Sequence, residues 1–177
     1  MALTLIHGMG KRELTRYLTD LKKKDLEVQI MDLYNRFPIV REYYNFVFNP
    51  NEDKLVQEAK IRIANEYISR TGKRPKARRS VAQKIIKHFI TLGVDPPITA
   101  DLMLYNLEIA QTYSVGKNLP ASFYKSMGNS FNELVRYVSI HGLLDDLKKR
   151  IVAYYLFATE HNWPDLEEFS KSLDILD

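Results

Sequence analysis

Prolines and glycines recur at intervals along this chain, and their positions limit the secondary structure that it can form. All seven prolines (38, 50, 75, 96, 97, 120 and 164) fall between segments with helical apolar spacing, and of seven glycines only Gly128 lies inside such a segment. Proline at helix starts and glycine at helix ends are typical of helices joined by short connections. No segment of comparable quality alternates with period two. The sequence therefore predicts an all-α fold.

The apolar spacing also predicts where the helices lie. We expect helices at about 11–24, 26–37, 39–48, 50–69, 80–93, 96–114, 120–141 and 143–161, and a short one beginning at Pro164. The predicted architecture is a compact bundle of eight or nine helices in a single domain over residues 1–177, with a short α-solenoid of stacked helical pairs as the alternative. Residues 1–9 would be an N-terminal extension and residues 163–177 an acidic C-terminal helix.

Length and composition exclude several classes of protein. A chain of 177 residues suits one domain with a real core. The absence of cysteine excludes disulfides, a thiol nucleophile and cysteine-ligated zinc. No apolar run approaches the roughly 18 residues that a membrane helix needs, and the opening segment does not resemble a signal peptide. We therefore expect a cytoplasmic protein with no membrane partner.

Positive charge is concentrated in one stretch of the chain. Residues 67–94 contain eight Lys or Arg residues and no Asp or Glu. Elsewhere 22 acidic residues outnumber 18 basic ones, so this stretch accounts for the whole basic character of the protein. Such a distribution indicates a local basic patch.

The basic stretch is placed where a helix is predicted to begin. Ser80 and Gln83 have the spacing of a capping box, with Ser80 as N-cap. Cations before a helix start are unfavourable unless an anion meets them and the unpaired backbone N–H groups there. The predicted anion-binding residues are Arg70, Lys73, Arg74, Lys76, Arg78, Arg79, Ser80, Lys84 and Lys87. Their partner would be a nucleic acid, another phosphate backbone or an acidic protein.

Two alternatives compete with this hypothesis. The cations could instead pair with the protein's own acids, for which the candidates are Glu42, Glu52, Asp53, Glu58 and the acidic tail. The functional surface could also be apolar, because aromatic residues crowd the predicted helices 39–48 and 143–161. The protein would then be a protein–protein adaptor or a homo-oligomer.

A few polar residues suggest a second, weaker lead. Asn106 falls in the middle of an apolar helix face, and a buried Asn needs partners. Its expected role is to bond the end of a neighbouring helix, with a ligand contact as the alternative. Asp101 and Glu108 share the opposite face, where they are either solvated or counter-charges for the basic helix. His88 borders that basic helix and completes the set of candidate polar-core or ligand contacts.

Nothing in the sequence argues for an enzyme. The four histidines form neither H-E-x-x-H nor Glu-x-x-His, so no metal site is predicted. No glycine-framed serine elbow is present, and Gly72-Lys73 lacks the spaced glycines of a phosphate loop. We expect a non-enzymatic binding module with no catalytic residue, metal or cofactor.

Two sequence blocks carry a resemblance to a known family. The blocks "KRELTRYLTDL…DLYNRFPIVREYYNFVFNP" and "RRSVAQKIIKHFITLGVDP…ADLMLYNLEIAQ" resemble an uncharacterised bacterial all-helical family, catalogued as a domain of unknown function. The similarity covers about residues 10–160, without the first eight residues and the acidic tail. The resemblance implies no activity, ligand or site residue.

Overall fold

Eight α-helices and no strand make up the part of the protein that the computed structural model describes, which is residues 10–69, 72, 74–164, 166, 167 and 169. The helices are α1 (Lys11–Thr19), α2 (Lys23–Arg36), α3 (Pro38–Phe48), α4 (Glu52–Tyr67), α5 (Arg79–Leu92), α6 (Pro96–Ser114), α7 (Ala121–Ile140) and α8 (Leu144–Glu160). The predicted all-α class is confirmed. None of these helices is long and apolar enough to cross a bilayer. The expected N-terminal extension, and most of the expected C-terminal helix at 163–177, lie outside the described residues.

The first two helices divide at a different place from the one predicted. The sequence interpretation placed Lys22, Lys23 and Lys24 at the end of the first helix, but α1 ends at Thr19 and α2 begins at Lys23, with Lys22 as N-cap. Asp25 explains the difference, because its carboxylate accepts a hydrogen bond from the Lys22 backbone N–H at 3.3 Å. An acid in the first turn stabilises a helix start and outweighs the unfavourable lysines.

The chain divides into two compact units, Met1–Pro50 and Asn51–Asp177, where the sequence predicts one domain. In the first unit α2 packs against α3, and none of the residues of α1, α2 and α3 is buried. Leu14, Ile30 and Leu33 are large apolar residues of these helices, and all three are exposed. The amphipathic pattern is present in these helices, but the three helices do not enclose an interior between them.

The second unit is built around α6, which packs against α4, α5, α7 and α8. Buried side chains lie almost all round this helix, including Leu102, Leu104, Leu107 and Ala110. The sequence analysis identified 143–161 as a possible oligomer interface because it is rich in aromatic residues. In α8 only Ile151, Tyr154 and Ala158 are buried, so α8 covers one side of the core.

An aromatic cluster closes the far side of this core. Phe131 of α7 stacks on Tyr154 of α8 at 5.7 Å between ring centroids and contacts Phe169 at 5.2 Å. Gly128 lies inside α7, where the missing side chain leaves room for a neighbouring group. A Cβ added there would lie 3.1 Å from the Phe169 ring, so the glycine admits an aromatic side chain.

Candidate anion-binding site

The loop before α5 is fixed to the end of α4 by one buried carboxylate. Glu66 is 9% exposed, and its side chain accepts three hydrogen bonds from Arg78, from the backbone N at 3.3 Å, Nε at 2.9 Å and Nη2 at 2.7 Å. The Glu66 carbonyl also accepts a hydrogen bond from the Ala77 N–H at 2.8 Å. Ala77 has φ 48°, a left-handed conformation that a non-glycine residue adopts only when its surroundings enforce it. Residues 77 and 78 therefore have a defined backbone.

This ion pair also sets the protonation of Glu66. The side-chain hydrogen bonds from Arg78 lower the pKa of Glu66, and they outweigh burial, which acts in the opposite direction. A carboxyl whose pKa is lower in the folded state stabilises the fold above its unfolded pKa, and that contribution is lost as the pH falls through the folded value. Arg78 is thus paired internally at neutral pH, whereas the sequence interpretation assigned it to an external anion.

Arg79 also has an internal ion pair, in this case with Glu133 of α7. Its Nε donates to Ser130 Oγ at 2.8 Å, and its Nη2 contacts Glu133 Oε1 at 2.7 Å. Gln83 donates to the other Glu133 oxygen at 2.7 Å. The predicted capping box is wrong, because α5 begins one residue earlier with Arg78 as N-cap and Gln83 bonds across to α7. Ser80 is exposed in the first turn and does not cap the helix.

Four of the predicted cations have no such partner. In the described part of the chain, no ion pair or hydrogen bond involves the side chains of Arg74, Lys76, Lys84 or Lys87, and all four are exposed. Arg70 and Lys73 lie outside the described residues. The acids predicted to neutralise the cluster were Glu42, Glu52, Asp53, Glu58 and the tail. The acids that do so at Arg78 and Arg79 are Glu66 and Glu133.

Two of the unpaired cations line a cavity of about 350 Å³. Arg74 and Lys76 contribute its charged side, and Ser122 and Ser126 of α7 contribute hydroxyl groups. The remaining wall is apolar and partly aromatic, and it is formed by Pro75, Ala77, Tyr113, Leu119, Pro120 and Phe123. A cation pair beside a ring-lined wall is chemically suited to a phosphate group attached to a flat or apolar body.

The first turn of α7 adds to the positive potential of this cavity. Pro120 is the N-cap of this helix and no side chain caps it. Backbone N–H groups of a first turn lack helical carbonyl partners, and the helix dipole adds partial positive charge there. Ser122, in this turn, lines the cavity beside Lys76. The sequence interpretation missed the contribution of α7, because the Lys/Arg run gave no signal for a segment nearly 50 positions away.

Asp101 and Glu108 form a separate charged network. Arg150 of α8 donates to Asp101 Oδ1 at 2.7 Å and to both Glu108 oxygens at 2.9 and 2.8 Å. Lys60 of α4 donates to Asp101 Oδ2 at 2.8 Å. Burial acts to raise the pKa of Asp101, but the hydrogen bonds from Lys60 and Arg150 lower it. The interpretation of these acids as counter-charges for the basic helix is wrong, since their cations come from α4 and α8.

The remaining polar candidates lie away from the cavity. Asn106 is fully buried, and its Oδ1 accepts a hydrogen bond at 3.3 Å from the hydroxyl of Tyr67, the last residue of α4. Its Nδ2 has no partner among the described residues. Burial raises the pKa of Tyr67 to about 12, so this hydroxyl stays protonated and can donate. His88 is half-buried on α5, and no group of three His, Asp or Glu in the described part of the chain could hold a metal ion.

Comparison with known proteins gives a family but no function. The chain belongs to a family of unknown function, DUF6155, whose model matches residues 9–177. This confirms the resemblance to a domain of unknown function, and the match also covers the acidic tail, which was expected to lie outside. The comparisons with curated proteins and with solved structures give no match.

Proposed function

We propose that this protein is a non-enzymatic binding module that contacts a phosphate-bearing polyanion, such as a nucleic-acid backbone. The observation that carries the proposal is the placement of Arg74 and Lys76 in a cavity at the start of α7, where neither side chain forms an ion pair or a hydrogen bond with the residues that the structure describes. Arg78 and Arg79 serve a different purpose, because their ion pairs hold the loop and α5 in position. The proposed contact surface is therefore smaller than the basic run in the sequence.

The outer face of α5 extends this surface. Lys84 and Lys87 are three residues apart, so they lie on the same side of the helix, and both are exposed. Phosphate contacts made by a few exposed cations are weak, insensitive to sequence and strongly dependent on salt. Tyr113 and Phe123 in the cavity wall also offer an apolar surface against which a base or sugar could rest.

Fluorescence anisotropy with labelled single- and double-stranded DNA and RNA tests the proposal. We expect binding at low salt that weakens as salt rises, and a salt slope that falls by about 0.9 for each duplex phosphate contact removed. The double variant Arg74→Glu/Lys76→Glu should weaken binding by at least about tenfold. This follows because both reversals place negative charge where a phosphate would lie.

A matched control separates local contacts from net charge. The variant Arg62→Glu/Lys149→Glu changes the net charge by the same amount at two exposed residues of α4 and α8 that do not line the cavity. It should retain most of the binding. The proposal is contradicted by absence of binding at low salt, or by an equal loss in both double variants.

A second candidate function is favoured by one observation, the exposed apolar surface of the first unit. Val28 of α2 and Phe48 of α3 are 63% and 74% exposed, and Met31 and Val47 are also exposed. Soluble proteins seldom present so many large apolar side chains to water without a partner. The predicted interface at 39–48 is consistent with this exposure, whereas the core position of Tyr154 makes 143–161 a poor interface.

We infer that the occupant of this surface is a second copy of the chain. Residues 10–50 carry eight basic and six acidic side chains, a small net charge, so two copies would repel each other weakly. An isologous contact would cover both apolar faces at once.

Analytical ultracentrifugation tests the homo-oligomer. We expect a concentration-dependent dimer that Val28→Glu/Phe48→Glu converts to monomer, because a buried unpaired carboxylate is strongly unfavourable. Leu156→Glu, at an exposed position of α8, should leave the dimer intact. A wild-type chain that is monomeric at all concentrations, or dissociation by Leu156→Glu, would contradict the inference.

A further inference from the structure

A second concave surface lies between α5 and α7 and shares no lining residue with the cation-lined cavity. It is a groove of about 380 Å³, which we call the α5–α7 groove, and it is largely apolar. Its lining residues are Gln83, Ile86, Lys87, Ile90, Met103, Glu133, Arg136, Tyr137 and Ile140. Ile90 is 50% exposed and Ile140 is 68% exposed, although both are large aliphatic residues.

Hydrogen bonds at one end explain why the groove exists. Arg79 and Gln83 of α5 bond to Ser130 and Glu133 of α7, which ties the first turns of α5 to the middle of α7. Further along both helices most of the side chains that line the groove are apolar, namely Ile86, Ile90, Tyr137 and Ile140. Met103 of α6 lines the space left between the two helices. The groove is thus the space between α5 and α7 that lies beyond their hydrogen-bonded end.

The charges at the rim indicate what kind of partner fits. Lys87 and Arg136 line the groove, and neither forms an ion pair in the described part of the chain. Glu133 is the sole carboxylate among the lining residues, and it is already bonded to Arg79 and Gln83. The rim therefore carries uncompensated positive charge around an apolar floor, which favours an apolar partner with acidic flanks.

The spacing of the apolar side chains favours a helix as that partner. Ile86 and Ile90 are four residues apart, and Tyr137 and Ile140 are three apart, so each pair forms a ridge along its helix. A third helix can place its own ridge between two such ridges, as in helix-in-groove recognition. The stretch from Gln83 to Ile90 extends about 10 Å along the helix axis, enough for two turns of a bound helix.

We propose that the α5–α7 groove is a docking site for an amphipathic helix of a partner protein that carries acidic residues on either side of its apolar stripe. The apolar stripe packs on Ile86, Ile90 and Ile140. The acidic flanks meet Lys87 and Arg136. This interaction surface does not include Arg74 or Lys76, and Lys87 is the one residue that it shares with the proposed polyanion surface.

Synthetic peptides test the proposal with the full-length protein. The probe is an amphipathic peptide with leucine at helical spacing and glutamate elsewhere, and the matched peptides carry lysine in place of glutamate or a central proline that prevents helix formation. We expect the acidic helix to bind and to shift the methyl NMR signals of Ile86, Ile90 and Ile140. The lysine and proline peptides should bind at least about tenfold more weakly.

Charge reversal makes the test specific to this groove. Lys87→Glu/Arg136→Glu should weaken binding of the acidic peptide by about tenfold or more and strengthen binding of the lysine peptide. Arg74→Glu/Lys76→Glu should leave peptide binding unchanged, which separates this proposal from the polyanion site. Ile90→Ser, at a half-exposed position that the fold tolerates, should also weaken binding.

Three outcomes would overturn the proposal. One is that the peptides bind equally whatever their charge. Another is that the acidic peptide shifts methyl signals elsewhere and leaves Ile90 and Ile140 unmoved. The third is that a fatty-acid carboxylate such as dodecanoate binds the groove and the acidic helix does not, because the ligand would then be an acyl chain.

Discussion

Replacing Glu66 with glutamine is expected to lower the free energy of unfolding by about 1–3 kcal/mol at neutral pH and, at the same time, to strengthen polyanion binding. Glutamine has nearly the same shape but cannot supply the negative charge that holds Arg78. The guanidinium released in this way would add one cation to the loop that carries Arg74 and Lys76. We expect the affinity for DNA at low salt to rise about two- to tenfold.

Denaturant unfolding between pH 7 and pH 3 measures the stability part of this prediction. The folded-state pKa of Glu66 is lowered, so its contribution is present at neutral pH and is lost as the pH falls through that value. The difference between wild type and Glu66→Gln should therefore shrink below about pH 5. Glu58→Gln, at an exposed residue of α4, makes the same change in charge and should alter neither stability nor binding. An effect of Glu58→Gln as large as that of Glu66→Gln would contradict the prediction.

Removal of Arg150 is expected to have a comparable effect on stability. Its guanidinium bridges Asp101 and Glu108, and Arg150→Ala would leave these two carboxylates on one face with Lys60 alone to balance them. We expect a loss of about 1–3 kcal/mol in the free energy of unfolding. This is less than the loss for a fully buried pair, because solvent screens a site that is more than a third exposed.

The pH dependence identifies the cause of that loss. The pKa of Asp101 is lowered by Lys60 and Arg150 in spite of burial, so the network stabilises the fold at neutral pH and its contribution is lost in acid. Thermal unfolding of Arg150→Ala should thus approach that of wild type as the pH falls towards 3. Arg150→Lys should recover part of the stability, and Lys149→Ala should cost little. A deficit that stays constant with pH would show that Arg150 acts by packing instead of charge.

Local signals in the sequence were sufficient to predict the class and most of the helices. Gly93 ends α5 in a left-handed conformation with φ 74°, and Pro96 begins α6, as their residue types indicate. Helix starts were less accurate. Asn51 caps α4 through its side chain, so the helix begins at Glu52 and not at residue 50 as predicted.

The features that could not be predicted depend on contacts between residues that are far apart in the sequence. Arg79 and Glu133 are 54 positions apart, and nothing in the sequence near either one indicates the other. Glu66 did give a signal, since it falls in the apolar register of α4 with Ile63 and Tyr67, and a carboxylate in that register needs a cation nearby. Which helix lies at the centre was equally hidden, because both α6 and α8 are rich in apolar residues and packing alone selects α6.

The attachment of the loop to α4 has a consequence for the thermodynamics of ligand capture. Ala77 and Arg78 hold the backbone just after Arg74 and Lys76, so the main chain there is already in place before any encounter. A visiting phosphate would then immobilise two flexible side chains, at about 0.5–1.5 kcal/mol each, without also freezing a disordered segment. Two cations on an ordered backbone can therefore bind a phosphate ligand with higher affinity than the same two residues on a flexible loop.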